Sequence, residues 1–326
     1  MNNLLPLHSA PALRRSAANL ACVALLFGCL LATSLPGAPV QSDNFNDGND
    51  TGWIRYDPIA AAAGPQATWS FPSGGYRIQT AVSPAPGQVG PGRAGSLRPE
   101  SYTDFYLAVD ILNWDDSLDQ SIGILARITD IGLGATDGYA MTYQVRGHDI
   151  SITRFTDEDT SGGDVRLTGV NDVMLVPGHS YRLVFIGKGS QLIARVYELP
   201  DTLNPILDAS GTDSTYPGGQ GGLIVFDNTS TGSGLTDATF DNFYATDIEP
   251  PRITMTGDPF GTYRLSWPLE ASAFVLQSAS SLTGSAADWS DVTSGVRTDA
   301  DSIFYLMDTD PILGVPPKLF FRLRRP

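Results

Sequence analysis

From about Ser42 onward, apolar and polar residues alternate with a period of two in short runs cut by Gly, Pro, Asp and Asn. Phe105, Leu107, Val109 and Ile111 alternate with Tyr106, Ala108 and Asp110. Ile122, Ile124, Ala126 and Ile128 do the same, as do Tyr139, Met141, Tyr143 and Val145. Further runs are Ile150–Phe155, Tyr181–Ile186, Leu192–Tyr197, Gly222–Phe226 and Ala238–Ala245. Successive side chains of a strand point to opposite faces, so each run predicts a strand buried on one side and wet on the other. No segment past the N-terminal region carries the 3.6-residue period of an amphipathic helix. About a dozen strands between 42 and 247 exceed what one open sheet holds. The prediction is therefore all-β and antiparallel, as two stacked sheets or a jelly-roll sandwich.

Local signals refine the plan. Gly187-Lys188-Gly189-Ser190 lies between two strong runs and predicts a hairpin that pairs Tyr181–Ile186 with Leu192–Tyr197. Residues 248–252, around Glu249-Pro250-Pro251, predict a stiff linker, because neither proline can donate to a ladder. Beyond it, shorter runs at Tyr263–Trp267, Phe274–Gln277, Ile303–Met307 and Leu319–Leu323 predict a small β-sandwich over 253–326. Trp267 and Trp289 are its expected core anchors, and Trp53 and Trp69 are expected in the larger core.

Residues 1–38 are expected to be an export signal: Arg14 and Arg15 precede an apolar run from Ala17 to Leu31, and small and breaker residues follow. Both cysteines, Cys22 and Cys29, fall inside it, so the exported chain would lack disulfides. No second apolar stretch is long enough to span a bilayer. The expected location is extracellular or at the cell surface. The formal net charge of −15, with Lys188 and Lys318 the only lysines, argues against nucleic acid, which demands a basic surface.

Two short motifs carry a family resemblance. Asp43-Asn44-Phe45-Asn46-Asp47-Gly48 followed by Gly52-Trp53 resembles the opening strand of concanavalin A-like lectin/glucanase (laminin G-like) domains of secreted bacterial proteins. Thr239-Phe240-Asp241-Asn242-Phe243 resembles their closing strand. The resemblance covers roughly 42–247 and implies the jelly roll and a carbohydrate-facing role. The C-terminal run, with Leu265-Ser266-Trp267 and Phe320-Phe321-Arg322-Leu323-Arg324, is similar to a β-domain that ends exported planctomycete and verrucomicrobial proteins and is loosely fibronectin III-like.

The titratable residues do not suggest a catalytic cluster. Glucanases of that superfamily carry a Glu-x-Asp-x-Glu strand, whereas the five glutamates here, Glu100, Glu158, Glu198, Glu249 and Glu270, are scattered. Asp157-Glu158-Asp159 reads as a solvated turn, and His148 and His179 as turn residues. Hard calcium takes six to eight oxygen ligands. Asp43, Asp47 and Asp241 are the candidate ligands of a structural Ca²⁺ that would join the first and last strands. Trp114, beside the acidic loop Asp115-Asp116-Ser117-Leu118-Asp119, is the candidate sugar platform, with Tyr106, Arg127 and Arg146 on adjacent wet faces. The reading is a non-catalytic protein that binds polysaccharide or a cell-surface glycan. Its rivals are a structural or adhesive surface component and an unusual polysaccharide-cleaving enzyme.

Overall fold

The computed structural model describes residues 40–158, 164–258, 261–281, 288–308 and 319–325. The expected export signal and Asp159 lie outside the described residues. Ala38–Pro326 forms one compact unit.

Fifteen strands make the larger sandwich among the described residues. They are β1 (Gln41–Asp43), β2 (Ile54–Tyr56), β3 (Ala67–Ser70), β4 (Tyr76–Thr80) and β5 (Arg93–Tyr102). There follow β6 (Phe105–Trp114), β7 (Gln120–Thr129), β8 (Asp137–Gln144), β9 (Asp149–Phe155) and β10 (Val165–Val170). The last five are β11 (Tyr181–Lys188), β12 (Gln191–Glu198), β13 (Leu207–Thr212), β14 (Gly219–Asp227) and β15 (Thr236–Thr246). One sheet has eight strands in the order β13-β12-β11-β6-β15-β4-β3, with β1 added on β15. The other has seven in the order β10-β9-β8-β7-β14-β5-β2. The pairings are antiparallel throughout, and the fold is a jelly-roll sandwich, one of the two forms that the alternation allows. The expected hairpin is present: β11 pairs with β12 from Tyr181↔Glu198 to Lys188↔Gln191 around Gly189-Ser190.

The core lies between the sheets. Val109, Ile111, Ile122, Ile124, Tyr139, Met141, Leu183, Phe185, Leu223, Val225 and Phe240 are each at most 1% exposed. Full burial of such a side chain stabilises by about 1.5–3 kcal/mol. Trp53 is in this core, with its Nε1 donating to Asp43 Oδ2 at 2.8 Å. Trp69 packs at its margin.

Bulges interrupt the alternation at several points, and three of them bear on the residues singled out in the sequence. Between Ile111↔Phe240 and Asn113↔Thr239, Leu112 is left without an opposite number, so Trp114 turns inward. Between Ala126↔Tyr139 and Thr129↔Asp137 an extra residue falls near Arg127, whose φ is +52°. Between Asp241↔Asp110 and Tyr244↔Ala108, Asn242 takes φ +50°.

The C-terminal strands are β16 (Thr254–Gly257), β17 (Thr262–Pro268), β18 (Val275–Ala279), β19 (Ser290–Asp291), β20 (Val296–Thr298), β21 (Ser302–Asp308) and β22 (Phe320–Arg324). They form a four-stranded sheet, β16-β17-β21-β20, and a three-stranded one, β19-β18-β22. Leu265, Trp267, Phe274, Leu276 and Ile303 form a separate small core, against which Phe321 and Leu323 pack. Trp267 is 3% exposed, as an anchor should be. Trp289 departs from the expectation: it is half-buried, with the Arg322 guanidinium stacked 4.2 Å over its ring rather than enclosed by apolar neighbours. The linker is tied to the larger sandwich by Arg195–Glu249 at 2.7 Å and by Arg252, which donates to the carbonyls of Thr202 and Leu203 at 3.1 Å.

Candidate functional site

The outer face of the seven-stranded sheet carries a groove of about 260 Å³. Its floor follows from the strand registers. One row crosses the sheet as Asp149, Gln144, Ser121, Phe226 and Arg93, contributed by β9, β8, β7, β14 and β5. The next row reads Ser151, Thr142, Gly123, Ile224, Gly95 and Tyr56. The third reads Thr153, Ala140, Leu125, Gly222 and Leu97. Most side chains on the β9–β8 side are thus polar, and those on the β14–β5–β2 side are mainly apolar, with Arg93 at its margin. Glycines alternate with bulky residues across the middle because the strands leave no room there. A Cβ on Gly123 would lie 2.0 Å from Met141 O, and one on Gly222 2.0 Å from Ser96 O.

Two arginine–carboxylate pairs bracket the floor. Arg166 of β10 donates through both terminal nitrogens to Asp149, at 3.0 Å on Oδ1, and also reaches Asn171 Oδ1 at 3.1 Å. At the opposite side Arg93 of β5 meets Glu158, with Nε 2.9 Å from Oε1 and Nη2 2.8 Å from Oε2. Its Nη1 donates to the carbonyls of Val89 and Pro91 at 2.9 and 2.8 Å. Glu158 also accepts from the Tyr56 hydroxyl and, at 3.3 Å, from Gly134 N–H. Burial, then the charge of Glu158, pushes the Tyr56 phenol well above its ordinary value, so it stays a donor.

Glu158 corrects the sequence reading of a solvated turn: the residue is 9% exposed. Its backbone conformation is left-handed, with φ +48°, and its N–H donates to Thr136 O at 2.7 Å. The physical reason is its set of distant partners. Tyr56 and Arg93 lie 102 and 65 residues away, and no local pattern announces them.

The sequence-predicted platform residues are not brought together. Trp114 is 5% exposed, edge-on to Tyr143 with ring centroids 6.3 Å apart, because the Leu112 bulge turns it into the core. Tyr106 stands on the outer face of the eight-stranded sheet, edge-on to Tyr244 at 6.2 Å. Arg127, expected on a wet face, is 2% exposed and spans three carbonyls: Thr103 at 2.9 Å, Tyr216 at 3.1 Å and Gly189 at 2.8 Å. Burial pulls its guanidinium below the ordinary arginine value. Its place is that of an internal brace at the sandwich end. Arg146 is exposed and donates to Ser117 O at 2.8 Å, beside the acidic loop. None of the four lines the groove.

The metal candidates separate as well. Asp43 of β1 and Asp241 of β15 lie close enough for the charge of Asp43 to act on Asp241. Burial first, then Asp110 and Asp43, raises the Asp241 carboxyl above its ordinary value. Both Asp43 oxygens are engaged, by Phe45 N–H and Trp53 Nε1–H, each at 2.8 Å. Asp47 is exposed and accepts from Asn49 N–H at 3.2 Å in its own turn. Asp110, 2% exposed, is held by Arg182 at 2.7 and 2.9 Å and by Asn242 Nδ2 at 3.0 Å. No group of three His, Cys, Asp or Glu among the described residues is arranged to hold a metal ion. A wider hollow of about 690 Å³ adjoins this cluster between Tyr106, Tyr244 and Pro250.

No protein-family model matches the chain, and no curated protein matches it. Among solved structures it is similar to the carbohydrate binding module CBM66 from Bacillus subtilis, at 17% identity and TM-score 0.44, over 61% of this chain and 97% of that one. It is similar to a protein of unknown function with galectin-like fold from Bacillus subtilis, at 11% identity and TM-score 0.45, over 65% and 96%. It is also similar to a prokaryotic beta-1,3-1,4-glucanase (lichenase) derived from a mouse hindgut metagenome, at 12% identity and TM-score 0.44, over 64% and 98%. No helix among the described residues is long and apolar enough to cross a membrane.

Proposed function

We propose that the protein is exported and binds a carbohydrate in the groove of the seven-stranded sheet without cleaving it. The observation that carries this reading is the divided floor. Ser121, Thr142, Gln144, Ser151 and Thr153 offer hydroxyl and amide groups, and the half-buried rings of Phe226 and Phe155 offer apolar surface beside them, over a buried apolar layer of Leu125, Ile224 and Tyr56. A pyranose or furanose ring has the same division, with hydroxyls at its edge and C–H bonds on its face, and sites with a few placed polar groups on apolar walls are those that hold small ligands. Glycoside hydrolysis asks for a carboxylic acid and a carboxylate free to reach the scissile bond. Asp149 and Glu158 instead each accept two guanidinium N–H bonds, and Glu158 takes two further donors. Their environment favours a fixed wall over a proton donor.

A glycan array on the full chain, followed by calorimetry on any positive, tests the reading. Phe226→Ala and Gln144→Ala should each weaken binding by several-fold with the fold intact, and a positive glycan indifferent to both would contradict the site. A structural calcium on Asp43 and Asp241, without Asp47, is part of the proposal. Added Ca²⁺ should then raise the thermal midpoint, because a ligand that binds only the native state stabilises it. An unchanged midpoint would remove the metal from the account.

A further inference from the structure

We infer that Arg166 is the ligand-contacting cation of the groove and that it selects a neutral sugar over an acidic one, an inference that rests on the carbohydrate reading above. The two arginine–carboxylate pairs of the groove differ in what they leave to solvent. The side chains of Arg93 and Glu158 are 3% and 6% exposed, so that pair is closed. In the other pair Asp149 is 8% exposed, but Arg166 is 47% exposed. An exposed arginine gains little from an ion pair, because holding its long side chain costs rotamer freedom. Arg166 is nevertheless held by three bonds, two to Asp149 and one to Asn171.

A bulge and a glycine put it there. Arg166 pairs with Thr153 and Gly169 with Ser151, and the register shifts between Arg166 and Thr168. In an unbroken strand, residues three apart point to opposite faces. The shift brings Arg166 and Gly169 onto the same outer face as Thr153 and Ser151. The arginine side chain then runs along β10, over Gly169, to Asp149 and Asn171, where β9 begins and β10 ends. That is the opposite end of the strand pair from the connection over residues 156–164. A Cβ on Gly169 would lie 2.0 Å from Nη2, 2.5 Å from Cζ and 2.7 Å from Nε. Glycine at 169 is what lets the guanidinium lie down on the strand, which makes it a positioning residue.

The bonds that hold the guanidinium also decide what it can bind. A guanidinium offers a carboxylate two forks of parallel N–H bonds, one across Nη1 and Nη2 and one across Nε and Nη2. Asp149 occupies the first. Asn171 Oδ1 accepts the other hydrogen of Nη2 at 3.1 Å and so breaks the second. Among the described residues nothing accepts from Nε–H or from the remaining hydrogen of Nη1. These two point in different directions, and each suits a single acceptor such as a sugar hydroxyl or ring oxygen. A uronic acid or sulfate would find no fork, and its charge would meet the Asp149 carboxylate alongside.

The test uses the full chain, with laminarin, xylan, galactan, mannan and dextran as neutral polymers and polygalacturonate, alginate and dextran sulfate as acidic ones. Neutral polymers or array glycans should bind, and acidic ones should bind several-fold more weakly or not at all. A preference for an acidic polymer would overturn the inference and leave carbohydrate binding in place. If every polymer and the glycan array stay blank, both readings fall. For a glycan that binds, Arg166→Ala should weaken binding several-fold, and unchanged binding would take the cation out of the site. Gly169→Ala keeps every charge and collides with a side-chain tip on an edge strand. It should weaken binding by a similar factor with little change in thermal midpoint. In the double variant the second substitution should add nothing, because both act through one guanidinium. Additive losses would show that Gly169 does not act through Arg166 and would overturn the placement. Should Gly169→Ala not fold, Asn171→Ala, which reopens the second fork, should raise binding of acidic polymers relative to neutral ones. No such rise would overturn the fork argument.

Discussion

The two outer faces of the larger sandwich start from the same strand alternation and end as different surfaces. On the eight-stranded sheet the outward residues are large. Val184, Ile186 and Tyr197 are 1%, 6% and 4% exposed, and Tyr106 and Tyr244 pack beside them. Asp110 and Arg182 fill the space next to them, and the linker arginine Arg252 reaches Tyr197. On the seven-stranded sheet, glycines replace every second bulky residue in the central rows, and among the described residues the Glu158 turn and the β7–β8 connection, bonded to each other, cover one side. A face filled by its own side chains serves as a seat for the chain's next segment. A face emptied by glycine and half-roofed has room for a guest. The difference lies in a handful of outward residues rather than in the fold.

That contrast can be broken at its steepest point. Gly222→Val should be the most damaging change, because its Cβ would sit 2.0 Å from the Ser96 carbonyl oxygen and 2.8 Å from Leu97 Cα, both backbone atoms that cannot yield. A loss on the order of 4 kcal/mol or more, or no soluble protein, is expected by denaturant melts. A near-native midpoint would mean that the sheet is not pinched there.

Next in size is Glu158→Gln. Its partner Arg93 is 3% exposed, so the change leaves a buried guanidinium without its counter-charge. Removal of one partner of a buried pair costs about 3–5 kcal/mol. By contrast Arg195→Ala on the other face, where Asp208 and Glu249 are 51% and 45% exposed, should cost less than about 1 kcal/mol as an ion pair. Similar costs for the two would erase the distinction between clasp and decoration.

The smallest effect has a sign that depends on pH. Asp241 faces Asp110 across the strands, and its carboxyl is raised in the folded state by burial, then by Asp110 and Asp43. A raised carboxyl holds its proton in the native state at pH values where the unfolded chain has lost it, so the charged form costs stability at neutral pH. That cost is absent below the ordinary value of 3.8 and grows as pH rises through the raised folded value. Without metal, Asp241→Asn should therefore raise the melting midpoint at pH 7 and leave it nearly unchanged near pH 3. A lower midpoint at pH 7 would show that the charge is used, as a calcium ligand would use it.

Much of the fold was legible because strand alternation is a local property. The β11–β12 hairpin, the all-β sandwich and the inward Trp53 and Trp267 all follow from spacing and turn residues. The site was not legible, and the reasons are physical. A bulge adds one residue without changing composition, so Trp114 and Arg127 were assigned to the wrong faces. Burial of Glu158 depends on Tyr56 and Arg93, which are distant in sequence. The floor itself was visible only as polar alternates, Ser121, Thr142, Gln144, Ser151 and Thr153, whose alignment into rows needs the register between strands.

The central claim is that the half-roofed face, and not its filled counterpart, is the carbohydrate surface. Hydrogen–deuterium exchange of the full chain, with and without a saturating glycan taken from the array, measures this directly. The account predicts added protection in β8, β9 and the turn around Glu158, with β11 and β12 unchanged. Protection that appears instead across β11, β12 and the linker would place the ligand on the opposite face and contradict it.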